Sequence, residues 1–167
     1  MKKLIVKDNF LGVKKIKALN EYCINIPHQY GHTSNCRKED TNFYKANIDA
    51  ELENINYICK KIVELHGGDL AFFETYINIQ YAGMNGSFHK DIGQYTWVLM
   101  VSPTLTKGSG CFITKKQSID FVQDRLICLP AKTLHKGMAP KELAIPRITM
   151  AFKTEKVNEF YKRVYGK

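Results

Sequence analysis

Between residues 71 and 153 the chain breaks into eight short β-rich segments: "FFETYINIQY", "FHKDI", "YTWVLMVSP", "GCFIT", "SIDFV", "RLICLP", "LHKGMA" and "IPRITMAFK". Gly, Pro, Asn and Lys turns separate them. Eight short strands at that spacing predict a jelly roll or barrel-like double sheet. What precedes them reads differently. A short strand, "LIVKDNF", leads into a helix over 12–23 with Ile16, Leu19 and Cys23 on one face. Residues 24–47 show no period and are rich in Asn, Thr, Gly and His, which predicts a long loop of the kind that often forms a lid. A second helix is expected over 48–66, where Ile48, Leu52, Ile55, Cys59 and Ile62 keep apolar spacing until Gly67 and Gly68 stop it. At the other end, Val157, Phe160, Tyr161 and Val164 fall at helical spacing.

The expected architecture is therefore α+β but mainly β. It is a double-stranded β-helix of cupin-like jelly-roll type, with an N-terminal strand, two supporting helices and a short C-terminal helix. With 167 residues and 44% hydrophobic composition, one domain suffices to bury a core. We expect 1–70 as helical support and loop, 71–153 as the jelly-roll core and 154–167 as the closing helix. Cys23, Cys36, Cys59, Cys111 and Cys128 are odd in number, scattered and free of any C-x-x-C pairing. That argues against a disulfide framework or zinc ribbon and for a reducing, cytoplasmic setting. "MKKLIVKDNF" carries the lysines of a signal peptide but only Leu4, Ile5 and Val6 as apolar core, and no run approaches membrane-spanning length. No membrane partner is expected.

One stretch asks for a chemical explanation. "GSFHKDIGQYTW" places His89 and Asp91 two apart just before an apolar run, so on a strand both would face whatever the sheet encloses. His135 follows 44 residues after Asp91 in "LPAKTLHKGMAP", and Arg147 twelve residues later in "PRITMAF". Jelly-roll strands distant in sequence face each other, so His135 can join His89 and Asp91. Two imidazoles and one carboxylate on one side of a metal form the facial triad of non-haem Fe(II) oxygenases.

Here the sequence resembles the core of the Fe(II)/2-oxoglutarate-dependent dioxygenases, particularly the small prolyl-4-hydroxylase-like and phage-type members. The landmarks are "IQYAGMNGSFHKD", "YTWVLMVSP", "GSGCF", "DRLICLPAKTLH" and "PRITMAFK", in order over about half the chain. The resemblance implies that His89, Asp91 and His135 bind Fe(II), that 2-oxoglutarate and O2 are cosubstrates, and that a substrate C–H bond is hydroxylated with release of succinate and carbon dioxide. Arg147 would hold the distal carboxylate of 2-oxoglutarate, a role that suits a guanidinium fork. Thr149 would add a hydroxyl contact, and Tyr81 matches a tyrosine that touches the cosubstrate in several relatives. Leu99 stands where some prolyl hydroxylases carry a tyrosine. Lys153 stands where alkylation-repair dioxygenases carry a second arginine. Asp91 speaks against halogenation, since related halogenases place a small residue there.

The remaining candidates have plainer explanations. His28 and His32 lack an acid or cysteine to complete a metal site and read as loop residues. Trp97 reads as a core aromatic. Cys36 and Lys38 could touch substrate from the loop. A peptide or protein substrate, with proline the first residue to try, is favoured over nucleic acid, because the lysine-rich clusters flank the motifs and Phe88 is the one aromatic in the two mouth segments. The charge of +9 keeps the nucleobase-oxidising alternative open, and a non-catalytic jelly-roll binding module is the third reading.

Overall fold

Every residue of "YTWVLM" is buried, which requires that both faces of its strand be covered. The computed structural model, which describes residues 4–35 and 40–166, shows what covers them. In chain order the elements are β1 (Ile5–Lys7), α1 (Val13–Asn25), β2 (Gln29–His32), β3 (Phe43–Asn47), α2 (Glu53–His66), β4 (Leu70–Gln80) and β5 (Tyr95–Met100). They continue with β6 (Phe112–Thr114), β7 (Ser118–Ile119), β8 (Leu126–Pro130), β9 (His135–Gly137), β10 (Arg147–Lys156) and α3 (Val157–Tyr165). A seven-stranded sheet runs β1-β8-β5-β10-β4-β3-β2, and a three-stranded sheet runs β7-β6-β9. All named pairings are antiparallel.

Alternation along the central strands sorts side chains into two cores. Trp97 and Leu99 of β5, with Leu126 and Cys128 of β8, face α1 and α2, where Ile16, Leu19, Ile55, Ile58 and Ile62 meet them. Val98 and Met100, with Ile127 and Leu129, face the smaller sheet and pack on Phe112, Ile119 and Phe121. Trp97 is fully buried and donates its indole N–H to Thr154 Oγ1 at 3.0 Å, so it is the core aromatic expected. Gly67, with φ 75°, ends α2 as the sequence predicts.

Three differences from the sequence expectation matter. The stretch read as a loop over 24–47 contains β2 and β3, which pair with each other and extend the large sheet from β4. Their "QYGH" and "FYKAN" carry little apolar alternation, and tertiary pairing supplies what propensity does not. Cys36 and Lys38 lie outside the described residues. Second, α2 begins at Glu53 rather than near 48, because Ile48 still donates its N–H to Thr75 O and prolongs the sheet. Third, "FHKDI" is not a strand: only an isolated bridge joins His89 to His135.

Candidate active site

Four polar side chains in "ETYINIQ" follow the two-residue period of β4, and that period builds one wall of a cavity. Glu74, Tyr76, Asn78 and Gln80 line it, while Ile77 and Ile79 turn to the helix-side core. Across β10, Arg147, Thr149, Ala151 and Lys153 line it too, opposite Thr96 and Val98 of β5 and His135 and Gly137 of β9. The cavity holds about 260 Å³. A polar strand face turned inward in this way would be expensive unless something polar occupied the space.

The segment carrying His89 and Asp91 is pinned by backbone bonds rather than by a full strand ladder. His89 N–H donates to His135 O at 2.9 Å, His135 N–H returns to His89 O at 3.0 Å, and Asp91 N–H donates to Ala131 O at 2.8 Å. Gly86 allows the close approach, since a Cβ there would stand 2.8 Å from Gly137 O. The result brings one ligand atom each from His89, Asp91 and His135 within 4.8 Å of one another. Each histidine has its Nδ1 facing a backbone carbonyl at 2.9 Å, Ser87 O for His89 and Thr133 O for His135. A carbonyl accepts only, so Nδ1 carries the proton and the lone pair is on Nε2. Both Nε2 atoms then face the Asp91 carboxylate, at 3.6 Å from His89 and 3.3 Å from His135.

Lone pairs on two imidazoles aimed at a carboxylate call for a cation among them, and the donor set suits a divalent ion such as Fe(II). Burial, with help from neighbouring His135, lowers the His89 pKa and keeps that ring neutral, as a ligand must be. Burial alone would raise the Asp91 pKa, but neighbouring His135 and the ammonium of Lys153 outweigh it and hold the carboxyl well below the usual range.

At the other end of the cavity, Arg147 is 3% exposed. Its Nε donates to Gly110 O at 2.8 Å and one terminal nitrogen donates to Gln80 Oε1 at 2.6 Å. Among the described residues both of its hydrogen-bond acceptors are neutral, and no carboxylate pairs with it. Burial pushes its pKa down to about 10. A guanidinium with five donors buried in this way fits a planar carboxylate brought by a ligand. Asn78 Oδ1 in the same cavity is buried and has no hydrogen-bond partner among the described residues, an acceptor open to a ligand's donor group.

The structure thus brings His89, Asp91, His135, Arg147 and Thr149 to one cavity. Tyr81 it does not. That ring is 43% exposed and packs edge-on against Tyr44 at 6.0 Å, away from the cavity lining. The strand ends at Gln80, so the inward position falls one residue earlier than the sequence expectation. Leu99 likewise faces the helices, and Val98 is the β5 residue that lines the cavity beside Thr96. His32, expected as a loop residue, sits on β2 and lines the cavity mouth, whereas His28 does not reach it. Sequence reasoning passed over Gln80, Asn78 and Thr96, and it noted Lys153 without giving it a place in the site. The even-numbered polar residues of "ETYINIQ" were the available signal for the first two.

No family model matches the sequence, and no curated protein matches it. Solved structures match it in fold. A viral collagen prolyl hydroxylase from Paramecium bursaria Chlorella virus-1, solved with 2-oxoglutarate, is 17% identical with a TM-score of 0.70, covering 92% of this chain and 97% of that one. A prolyl-4-hydroxylase of Pseudomonas putida is 13% identical with a TM-score of 0.72, covering 92% and 93%. A Trichoplax adhaerens prolyl hydroxylase, solved with a peptide fragment of the hypoxia-inducible-factor oxygen degradation domain, is 15% identical with a TM-score of 0.66, covering 89% and 82%. The fold is that of the double-stranded β-helix oxygenases. In that fold the chain is similar over nearly its whole length to small prolyl hydroxylases.

Proposed function

We propose that this chain is an Fe(II)- and 2-oxoglutarate-dependent oxygenase that hydroxylates a C–H bond of a protein or peptide, with proline the first residue to test. One observation carries the reading: a His89–Asp91–His135 donor set and a buried Arg147 without an acid partner among the described residues line the same cavity. A fold kept only for binding would have no reason to bury these groups together. His89, Asp91 and His135 would hold the iron, which supplies the O2-activating chemistry when bound. Arg147, braced by Gln80 and Gly110 O, would take the distal carboxylate of 2-oxoglutarate, with Thr149 beside it on the same strand face. The peptide-bound Trichoplax protein supports a peptide substrate. The buried free thiols of Cys23, Cys59, Cys111 and Cys128 support a reducing, cytoplasmic setting. No helix among the described residues is long and apolar enough to cross a membrane.

The test is succinate release from 2-oxoglutarate with added Fe(II), run with proline-rich peptides and with single-stranded DNA across a salt series. Peptide stimulation with shallow salt dependence is expected. Stimulation by the oligonucleotide alone, falling steeply with salt, would replace the peptidyl reading with nucleobase oxidation.

A further inference from the structure

His89 and His135 are held in different ways. His135 belongs to β9 and pairs with Thr114 of β6. The carbonyl facing its Nδ1, Thr133 O, sits in a turn closed by the Thr133 N–H on Pro130 O at 2.9 Å. His89 has only the bridge to His135, and Ser87, whose carbonyl faces its Nδ1, belongs to no strand. Support comes instead from Ser34, Asn35 and Asp40, which lie between β2 and β3. Ser34 Oγ accepts the Ser87 N–H at 3.2 Å, Asp40 Oδ1 accepts the Ser87 hydroxyl, and Asn35 Nδ2 donates to Phe88 O at 3.0 Å. The other Asp40 oxygen accepts the Asn35 N–H at 3.0 Å. Every polar group of Ser87 is thereby committed, two to this segment and one to His89.

Ser, Asn and Asp side chains between strands ordinarily bond backbone close to themselves. These three reach across to the two residues that precede a metal donor, at the one donor that lacks a strand ladder. We propose that Ser34 and Asp40 are positioning residues of the metal site: acting through Ser87, they set the direction in which His89 presents Nε2. The proposal rests on His89, Asp91 and His135 being metal ligands. A hydrogen bond to the outer nitrogen fixes ring orientation and tautomer, and loss of such support typically costs about 10- to 100-fold in metal affinity. Thr33 and Ser34 of the same segment line the cavity, so one stretch of chain both shapes the mouth and braces a donor.

Mn(II) titration reads the affinity without turnover, and the imidazole N–H resonances of the metal-free protein read the rings. Asp40→Ala and Ser87→Ala should each weaken Mn(II) binding about tenfold. Asp40→Asn, which keeps an oxygen for the Ser87 hydroxyl, should lose less. In Asp40→Ala the Nδ1–H resonance of His89 should be lost to exchange while that of His135, which lies outside the clasp, persists. Ser34→Ala should weaken binding in the same direction and gives an independent reading if Asp40→Ala fails to fold. Wild-type Mn(II) affinity in both Asp40→Ala and Ser87→Ala, or equal loss of the two histidine resonances, overturns this proposal and leaves the metal site standing. Wild-type protein that binds no Mn(II) overturns the metal site and this proposal with it.

Discussion

Arg147 and Lys153 lie on the same face of β10, six residues apart, and each is 3% exposed. The desolvation cost of the two cations is similar, but its compensation is not. Arg147 meets a carbonyl and an amide oxygen, and Lys153 meets a carboxylate. A cation whose charge is balanced inside the protein belongs to the protein's own architecture. A cation left with neutral acceptors is set up for an anion that arrives later. On the proposed reading the two ends of the cavity have different jobs, one organising a donor set and the other receiving a ligand.

The sharpest way to break this contrast is to remove the acid. Asp91→Ala should abolish turnover and also strand Lys153, destabilising the metal-free protein by about 3–5 kcal/mol, because a buried charge loses its partner. His89→Ala should abolish turnover equally while leaving denaturant stability near wild type. Equal stability loss in both would show that the Lys153 contact carries no weight. The next largest effect is at the other end. Arg147→Ala should raise the 2-oxoglutarate requirement by about 1.5–3 kcal/mol, roughly 10- to 150-fold, for loss of a charge-assisted contact. Metal affinity should not move. Arg147→Lys should recover only part of the loss, since an ammonium cannot make the fork.

Acid titration separates the two ends again. The folded Asp91 pKa lies below its unfolded value of about 3.9, so its contribution to stability is complete above that value and fades as pH falls through the folded one. Lys153→Met removes one of the causes of that lowering, so the metal-free variant should unfold at a higher pH than wild type. Arg147→Ala should leave the acid midpoint unchanged. Circular dichroism followed down from neutral pH checks both.

How much of this could be read from the sequence depended on what kind of signal each part carries. The eight-segment texture of 71–153 and the apolar stripes of α1 and α2 are local, repeated and period-bearing, and they led to the right class of fold. "QYGH" and "FYKAN" became strands only because the edge of β4 was there to pair with, which no local window records. His89, Asp91 and His135 were approached through an assumed strand, yet 88–92 forms only a bridge and backbone bonds to His135 and Ala131 bring them together instead. Lys153 was hardest to see, because a lysine is an exposed residue by default and only its register opposite Thr96 carries it inside.

The smallest predicted effects decide a one-residue question at the end of β4. Side chains alternate along a strand, so a boundary placed one residue late transfers a role to the wrong face. Gln80 is 3% exposed, donates its amide to Met84 O at 2.7 Å, and accepts from Arg147 at 2.6 Å. Tyr81 is outside the cavity against Tyr44. Gln80→Ala should therefore weaken 2-oxoglutarate binding by about 0.5–1.5 kcal/mol, through a guanidinium that keeps its charge but loses a brace. Tyr81→Phe should leave the 2-oxoglutarate requirement unchanged. If the phenylalanine variant instead matches or exceeds the Gln80→Ala loss, the tyrosine reaches the cosubstrate after all, and Arg147 is braced from the face that the alternation of β4 turns away from it.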